Sequence, residues 1–104
     1  MSLALWHEKE FNEFISKGEN GVIEFGAPWC VACKASEVEI EKVGKNYPDF
    51  KFAKIDVGQD PSLASKMGVM SLPNVIIFKD GKVNEQIIGM TTIKALNEKL
   101  AKIY

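Results

Sequence analysis

Hydrophobic residues along this chain follow two different periods, and the changes between them fall at Gly, Pro and Asn residues. Short apolar runs, or apolar residues that alternate with polar ones, predict strands, whereas apolar residues three or four positions apart predict one face of a helix. The pattern therefore predicts an α/β protein. Asp80-Gly81 between the last two strands is a two-residue hairpin signal. The predicted strands run from Leu3 to Trp6, from Val22 to Phe25, from Phe50 to Val57, from Val75 to Phe78 and from Val83 to Gly89.

Four helices are predicted between and after these strands. Gly18, Gly44 and Gly68 mark the ends of the first three, because glycine is common just past a helix C-terminus. Asp60-Pro61 is typical of a helix start, with Asp60 as the N-cap and Pro61 in the first helical position. The predicted apolar faces of the other helices are Phe11, Phe14 and Ile15; Val38, Ile40 and Val43; and Ile93, Leu96 and Leu100, the last after a start at Thr91 or Thr92.

Length and composition limit the classes of protein to which the chain can belong. Its 104 residues, 46% of them apolar, are enough for one core and too few for two ordinary domains, so residues 1–104 are predicted to form a single domain. The net charge is −1, arginine is absent and the lysines are scattered, which argues against nucleic acid as a partner. No apolar run approaches the roughly 20 residues of a transmembrane helix, and no basic segment followed by a long apolar one begins the chain. We therefore expect a cytoplasmic protein with no membrane partner.

The two cysteines of the chain lie three positions apart in the segment Trp29-Cys30-Val31-Ala32-Cys33-Lys34, at the start of the second predicted helix. Positions i and i+3 share one face of a helix, so the two sulfurs can bond to each other or act in succession on a foreign disulfide. Unsatisfied backbone N–H groups and the helix dipole favour an anion at a helix N-terminus, and a thiolate is the nucleophilic form of cysteine. Cys30 is therefore the predicted attacking residue.

Further motifs surround this pair and make it more specific than a Cys-X-X-Cys spacing alone. A tryptophan precedes the first cysteine, and a loop proline follows the second by forty positions. The surrounding motifs, together with the pair, are Glu24-Phe25, Ala27-Pro28-Trp29-Cys30, Cys33-Lys34, Ala53-Lys54, Leu72-Pro73, Phe78-Lys79-Asp80-Gly81 and Gly89. With these residues the chain resembles the thioredoxin family over nearly its whole length. The resemblance implies the thioredoxin fold, a central mixed β-sheet of four to five strands flanked by about four helices.

The resemblance also implies a function. It predicts a thiol–disulfide oxidoreductase that uses the Cys30/Cys33 dithiol as a thioredoxin-type electron carrier with protein-disulfide reductase activity. The implied partners are disulfide-containing substrate proteins and a thioredoxin reductase or an equivalent electron donor. The chain is expected to act as a monomer, with no cofactor and no bound metal.

Glu24 interrupts an apolar strand six positions before Cys30, and the residues alone leave its role open. It shares a strand face with Val22, and that face could be either solvated or buried. By resemblance, Glu24 is a buried acid behind the active site, where desolvation would raise its pKa and suit it to accept the proton of Cys33. Lys54, by resemblance, lies beside this acid and partly offsets the shift. Without the resemblance, Lys54 is interpreted as an exposed strand lysine.

The resemblance further implies a groove for substrates beside the dithiol. In it the Leu72-Pro73 peptide bond is cis and presents the backbone of Ser71 and Leu72 to an extended substrate segment. Gly89 would let a partner backbone approach, and Trp29 would cover one side of the thiol. Without the resemblance, Pro73 is an ordinary strand-start proline, Gly89 a turn residue and Trp29 a core aromatic. The implied substrate-binding residues are Trp29, Val31, Ser71, Leu72, Pro73 and Gly89.

The chain departs from the commonest family pattern at two points, and these leave its redox poise open. Val31-Ala32 replaces Gly-Pro between the cysteines, and Val38 stands where a proline often kinks the helix. Because Val-Ala supplies neither proline rigidity nor a histidine donor, we expect a reductant and no extreme oxidant.

Two other functions stay open on the sequence. One is a metal site in which Cys30 and Cys33 supply half of a zinc or iron–sulfur centre shared in a dimer. The other is a binding or chaperone module with the same fold, in which the dithiol is dispensable. The remaining conspicuous residues receive structural interpretations: Trp6 as a core residue, His7 as a surface or capping residue, and Glu37, Glu39 and Glu41 as a solvated helix face.

Overall fold

Strands and helices alternate along the chain in the order that the hydrophobic pattern predicts. The structure is a computed structural model that describes residues 3–103. Its elements are β1 (Ala4–Leu5), α1 (Glu8–Ser16), β2 (Gly21–Gly26), α2 (Val31–Gly44), β3 (Lys51–Asp56), α3 (Pro61–Lys66), β4 (Asn74–Lys79), β5 (Lys82–Ile88) and α4 (Ile93–Ala101).

The strands form one mixed sheet in the order β1-β3-β2-β4-β5. β1 and β2 run parallel to β3, whereas β4 runs antiparallel to both β2 and β5. β2 is the central strand, and its Glu24 stands opposite Lys54 of β3 on one side and Val75 of β4 on the other. The β4–β5 hairpin turns through Asp80 and Gly81, whose φ angles of 55° and 76° suit the predicted two-residue turn.

Helices cover both faces of the sheet. Successive strand residues point to opposite faces, so Val22 and Val75 pack with α2 and α4 on one face, while Ile23 and Phe25 pack with α1 and α3 on the other. The helices contribute Ile40, Val43, Leu96 and Leu100 to the first core, and Phe11, Phe14, Leu63 and Ala64 to the second. Glu24 alternates with Ile23 and Phe25 and therefore points towards α2 and α4.

The starts of α1 and α3 are joined by a pair of side chains. Asp60 is the N-cap of α3 and Pro61 its first residue, as predicted, but the side chain of Asp60 makes no capping hydrogen bond. Its Oδ2 instead lies 3.0 Å from Nδ1 of His7, the N-cap of α1. Trp6 has its predicted core role, since its ring packs against Phe14 with the centroids 5.4 Å apart.

Val38 does not face the core, so this predicted core position is wrong. Its side chain is 52% exposed. Two residues of a helix that are two positions apart, such as Val38 and Ile40, point about 200° apart around the axis, and both cannot face the same core. The buried positions of α2 follow spacings of three and four instead, and they are Cys33, Ser36, Ile40 and Val43.

Because Val43 is buried and Val38 is exposed, the substitution of valine by alanine should destabilise the protein at the first position and not at the second. We expect Val43→Ala to lower the free energy of unfolding by about 2 kcal/mol or more, because it removes two fully buried methyl groups and leaves a cavity. Val38→Ala should stay within about 0.5 kcal/mol of the parent protein. Urea unfolding of both oxidised variants tests this, and equal losses at the two positions would contradict the observed helix orientation.

Candidate active site

The two cysteines form a disulfide at the N-terminus of α2. Cys30 is the N-cap of the helix, and its sulfur accepts a hydrogen bond from the backbone N–H of Cys33 at 3.2 Å. The same N–H groups and helix dipole favour a thiolate at Cys30 once the disulfide opens. Cys33 is completely buried, whereas Cys30 is 9% exposed. Of the two cysteines, only Cys30 therefore has any surface that a partner can reach.

The loop before β4 lies against the dithiol. Leu72 packs with the two cysteines and Ala27, and the Leu72-Pro73 peptide bond is cis, as the resemblance predicts. The backbone N–H of Gly89 donates to the carbonyl oxygen of Pro73 at 2.9 Å, which brings the end of β5 to the same place. Within residues 3–103, no backbone hydrogen bond uses the backbone of Ser71 or Leu72. Gly89 has φ of +93°, a conformation suited to glycine, and a Cβ there would meet no atom within 4 Å.

Exposed apolar side chains stand next to these residues along the chain. Trp29 is 76% exposed, which excludes the core interpretation of this tryptophan, and Val31 is exposed as well. Two methionines that the sequence analysis did not single out are also exposed: Met70 before Ser71 and Met90 after Gly89. We call Trp29, Val31, Met70 and Met90 the apolar rim.

Glu24 is completely buried, which excludes the alternative of a solvated strand-end carboxylate. Gly26 follows it by two positions and so belongs to the same face of β2. A Cβ placed on Gly26 would lie only 3.0 Å from Oε1 of Glu24 and 3.0 Å from Sγ of Cys33. The carboxyl group and the sulfur therefore lie no more than twice that distance apart, and the absence of a side chain at Gly26 permits the approach.

Lys54 and Glu37 complete a charged cluster beside Glu24. Nζ of Lys54 donates to Oε1 of Glu37 at 3.0 Å, and the two side chains are only 31% and 18% exposed. Glu24, Glu37 and Lys54 line one cavity of about 310 Å³, which Gly26 also lines. Lys54 thus lies beside Glu24, as the resemblance predicts. Glu37, however, does not belong to a solvated helix face, and this prediction is wrong.

The surroundings of Glu24 favour its protonated form. Burial raises the pKa of Glu24 from its ordinary value of 4.5 to about 9, and the neighbouring carboxyl group of Glu37 acts in the same direction. Lys54 acts in the opposite direction and lowers it. No N–H or O–H donor of residues 3–103 reaches either carboxyl oxygen of Glu24. With its pKa raised to about 9, Glu24 holds a proton at neutral pH in the disulfide form.

Besides the two methionines of the apolar rim, three residues received no role in the site from the sequence: Glu37, Ser36 and Gly26. Glu37 and Ser36 follow Cys33 by four and three positions, the spacing that places residues on one helix face. Ser36 is buried, and its Oγ accepts a hydrogen bond from the backbone N–H of Thr91 at 3.3 Å, which fastens the loop after β5 to α2. Gly26 stands at the end of the strand face that carries the acid. These spacings are visible in the sequence, but without the fold they do not show what the residues contact.

Two further findings concern a metal site and a membrane-spanning helix. Within residues 3–103, no group of three or more His, Cys, Asp or Glu side chains is arranged to hold a metal ion. In the same part of the chain, no helix has the length and apolar character needed to cross a membrane.

The fold and the site together define a class of protein. A Cys-X-X-Cys disulfide at a helix N-terminus, with a cis-proline against it and a buried acid behind it, is the arrangement of a thiol–disulfide oxidoreductase. The family model described as Thioredoxin matches residues 2–102. The chain belongs to the thioredoxin family.

Individual relatives agree with this assignment. Thioredoxin of Staphylococcus aureus is 38% identical over 93 residues, which cover 86% of this chain and 89% of that protein. Mitochondrial thioredoxin-3 of Saccharomyces cerevisiae is 36% identical over 80 residues, which cover 77% of this chain and 63% of that protein. The match to the yeast protein thus spans less than two thirds of its length.

Solved structures of thioredoxins have the same fold. The crystal structure of thioredoxin from Trypanosoma brucei brucei gives a TM-score of 0.86 at 33% identity and covers 98% of this chain and 90% of that one. Oxidised mitochondrial thioredoxin 3 of Saccharomyces cerevisiae gives 0.86 at 31% identity, with coverages of 96% and 94%. The predicted thioredoxin fold and the predicted class of thiol–disulfide oxidoreductase are confirmed.

The raised pKa of Glu24 predicts a pH-dependent loss of stability in the oxidised protein. Between pH 4.5 and about 9 the folded protein holds a proton on Glu24 that the unfolded chain releases. The native state then binds more protons, so its stability falls as the pH rises, by up to about 1.4 kcal/mol per pH unit. Glu24→Gln has no carboxyl group to titrate at this position, so its stability should not show this decline. Its free energy of unfolding, relative to that of the parent protein, should therefore increase with each step to higher pH. Urea unfolding of both proteins at pH 5.5, 7 and 8.5 checks this, and parallel pH profiles would contradict it.

Proposed function

We propose that this protein is a thioredoxin-type reductant that carries electrons from a donor to disulfides in partner proteins. The observation that carries the proposal is the asymmetry of the dithiol: Cys30 is reachable at a helix N-terminus, whereas Cys33 is buried close to Glu24. One cysteine is thus suited to attack a foreign disulfide, and the other to resolve the product.

The first step is an attack by Cys30 on the substrate. In the reduced protein, the Cys30 thiolate attacks one sulfur of a partner disulfide and forms a mixed disulfide. The second partner sulfur leaves with the electron pair of the broken bond and takes a proton from water. The helix N-terminus stabilises the attacking thiolate, because the backbone N–H of Cys33 already points at the sulfur of Cys30.

The second step resolves the mixed disulfide. The carboxylate of Glu24 takes the proton of Cys33, and the resulting thiolate attacks Sγ of Cys30 and expels the remaining partner sulfur as a thiolate. The products are the Cys30–Cys33 disulfide and a protonated Glu24. Lys54 supports this exchange by stabilising the carboxylate form of Glu24. A donor dithiol reverses the steps, and Glu24 then returns its proton to Cys33.

Substrates are proposed to bind beside the dithiol through backbone and apolar contacts. The backbone groups of Ser71 and Leu72 are available to an extended segment, Pro73 positions them, and Gly89 leaves space for the incoming chain. The apolar rim adds exposed hydrophobic surface, which favours partners with apolar residues near the disulfide.

We also propose an electron donor, an oligomeric state and a compartment for this protein. The electron donor is a thioredoxin reductase or an equivalent dithiol protein, and the chain acts as one thioredoxin-like domain and as a monomer in cell redox homeostasis. A reducing compartment is required for a reductant. We propose the cytoplasm; the relative from Saccharomyces cerevisiae bears the name of a mitochondrial thioredoxin.

Cysteine variants test the proposed function. Cys30→Ser should reduce the disulfides of insulin no faster than the reductant in the assay does alone, because the attacking sulfur is gone. Cys33→Ser should instead accumulate covalent adducts with the substrate, since the mixed disulfide is no longer resolved. Turbidity of precipitating insulin and non-reducing mass spectrometry measure the two effects.

Ala32→Ser serves as the matched control, because it introduces the same residue between the cysteines and keeps both sulfurs. It should retain disulfide reduction. Activity that survives in Cys30→Ser would refute the proposed function, and an absence of adducts with Cys33→Ser would refute the resolving role.

A further inference from the structure

A second acid, Glu37, lines the same cavity as the buried acid of the site. Glu24 contributes no exposed surface, and its carboxyl group lines the cavity together with Glu37. Neither carboxyl oxygen of Glu24 has a hydrogen-bond partner among the described residues, and the negative charge of Glu37 favours the protonated form of Glu24. Glu37 is also partly exposed, so its carboxylate is accessible to solvent while it lines the same cavity as Glu24.

Glu37 also determines where Lys54 points. The strand register places Lys54 opposite Glu24, so its ammonium group is close to that acid. Its hydrogen bond, however, goes to Oε1 of Glu37 at 3.0 Å, and not to Glu24. A cation that is bound to another carboxylate favours the ionised form of Glu24 less than a free one would.

We propose that Glu37 is a positioning residue that acts through Glu24: it holds the ammonium group of Lys54 and places a negative charge beside Glu24, and so controls how readily Glu24 exchanges its proton with Cys33. The inference rests on the proposed function, in which Glu24 exchanges a proton with Cys33. It adds a second carboxyl group, that of Glu37 on α2, to the proton exchange proposed for Glu24.

The exchange of protons is balanced in each direction. When a donor thiolate attacks Sγ of Cys30, the Cys30–Cys33 bond breaks and its electron pair goes to Sγ of Cys33. The carboxyl proton of Glu24 then moves to Cys33, and Lys54 and Glu37 remain around the new carboxylate. When the disulfide forms again, Cys33 returns this proton to Glu24.

The other charged groups that face the cavity are few. β3 supplies Asp56 besides Lys54, and α2 supplies Lys34 besides Glu37. Asp56 accepts a hydrogen bond from the backbone N–H of Gly58 at 2.8 Å, which occupies one of its oxygens. Glu37 and Lys54, which are bonded to each other, are therefore the charged groups that act on Glu24.

The test is the rate at which dithiothreitol reduces the Cys30–Cys33 disulfide, measured for the parent protein and each variant across pH 5.5 to 9.5 and corrected for the thiolate fraction of dithiothreitol. In Glu37→Gln the negative neighbour is gone and Lys54 is free to pair with Glu24, so Glu24 loses its proton at lower pH. We expect the corrected reduction rate of Glu37→Gln to decline at a pH that is lower, by about one unit or more, than the pH at which the rate of the parent protein declines. The pH range in which urea stability declines should move down by the same amount.

Glu39→Gln is the matched control, because it removes a carboxylate from the same helix at a position that does not line the cavity. It should leave both profiles in place. Glu37→Asp keeps the charge on a shorter side chain and should bring both profiles back towards those of the parent protein, which separates the proposed role from a general loss of structure.

The outcomes distinguish this inference from the proposed function. If Glu37→Gln behaves like Glu39→Gln while Glu24→Gln is slowed, the role of Glu37 is refuted and the proposed function stands. If Glu24→Gln is reduced as fast as the parent protein at every pH, the proton exchange with Cys33 is refuted, and the role of Glu37 falls with it.

Discussion

The burial of one ionisable carboxyl group, Glu24, on the central strand is the constraint on which the active site depends. Most side chains around it are apolar, and an ionised carboxylate is costly there, so the group holds its proton far above the usual pH. The same burial places it close to Cys33, across the gap left by Gly26. Proton exchange with the buried thiol of Cys33 requires an ionisable group beside it, and Glu24 is that group. Its burial lowers the stability of the protein at neutral pH.

α2 positions most of the remaining chemistry. Its N-cap is Cys30, and successive turns of one face carry Cys33, Ser36 and Glu37. Through these residues a single helix presents the attacking sulfur to partners, buries the resolving sulfur, fastens the loop after β5 and reaches the lysine of β3. Because the helix packs on the face of β2 that carries Glu24, the acid and the dithiol come together without any long connection.

Local signals in the sequence were sufficient for the order of elements, the hairpin at Asp80-Gly81 and the helix start at Cys30, since each depends on residues close together in the chain. The cis bond before Pro73 was foreseen only by resemblance to a family. Asp60 has the predicted position but bonds to His7, because a partner distant in sequence competes with the local cap. Glu37 was misjudged for the same reason: its partner is on a neighbouring strand, and helical spacing alone does not reveal it.

The central claim is that this dithiol reduces disulfides in other proteins. Val31-Ala32 places no cationic or hydrogen-bonding side chain between the cysteines, so these two residues add nothing to the stabilisation of the Cys30 thiolate by the helix N-terminus, and the disulfide form is correspondingly favoured. The reduction potential of the Cys30/Cys33 pair, measured in equilibrium with dithiothreitol or glutathione, tests this claim most directly. The account predicts a value near the low end of the roughly −270 to −120 mV range of Cys-X-X-Cys proteins. A value near the high end would contradict it and indicate an oxidant.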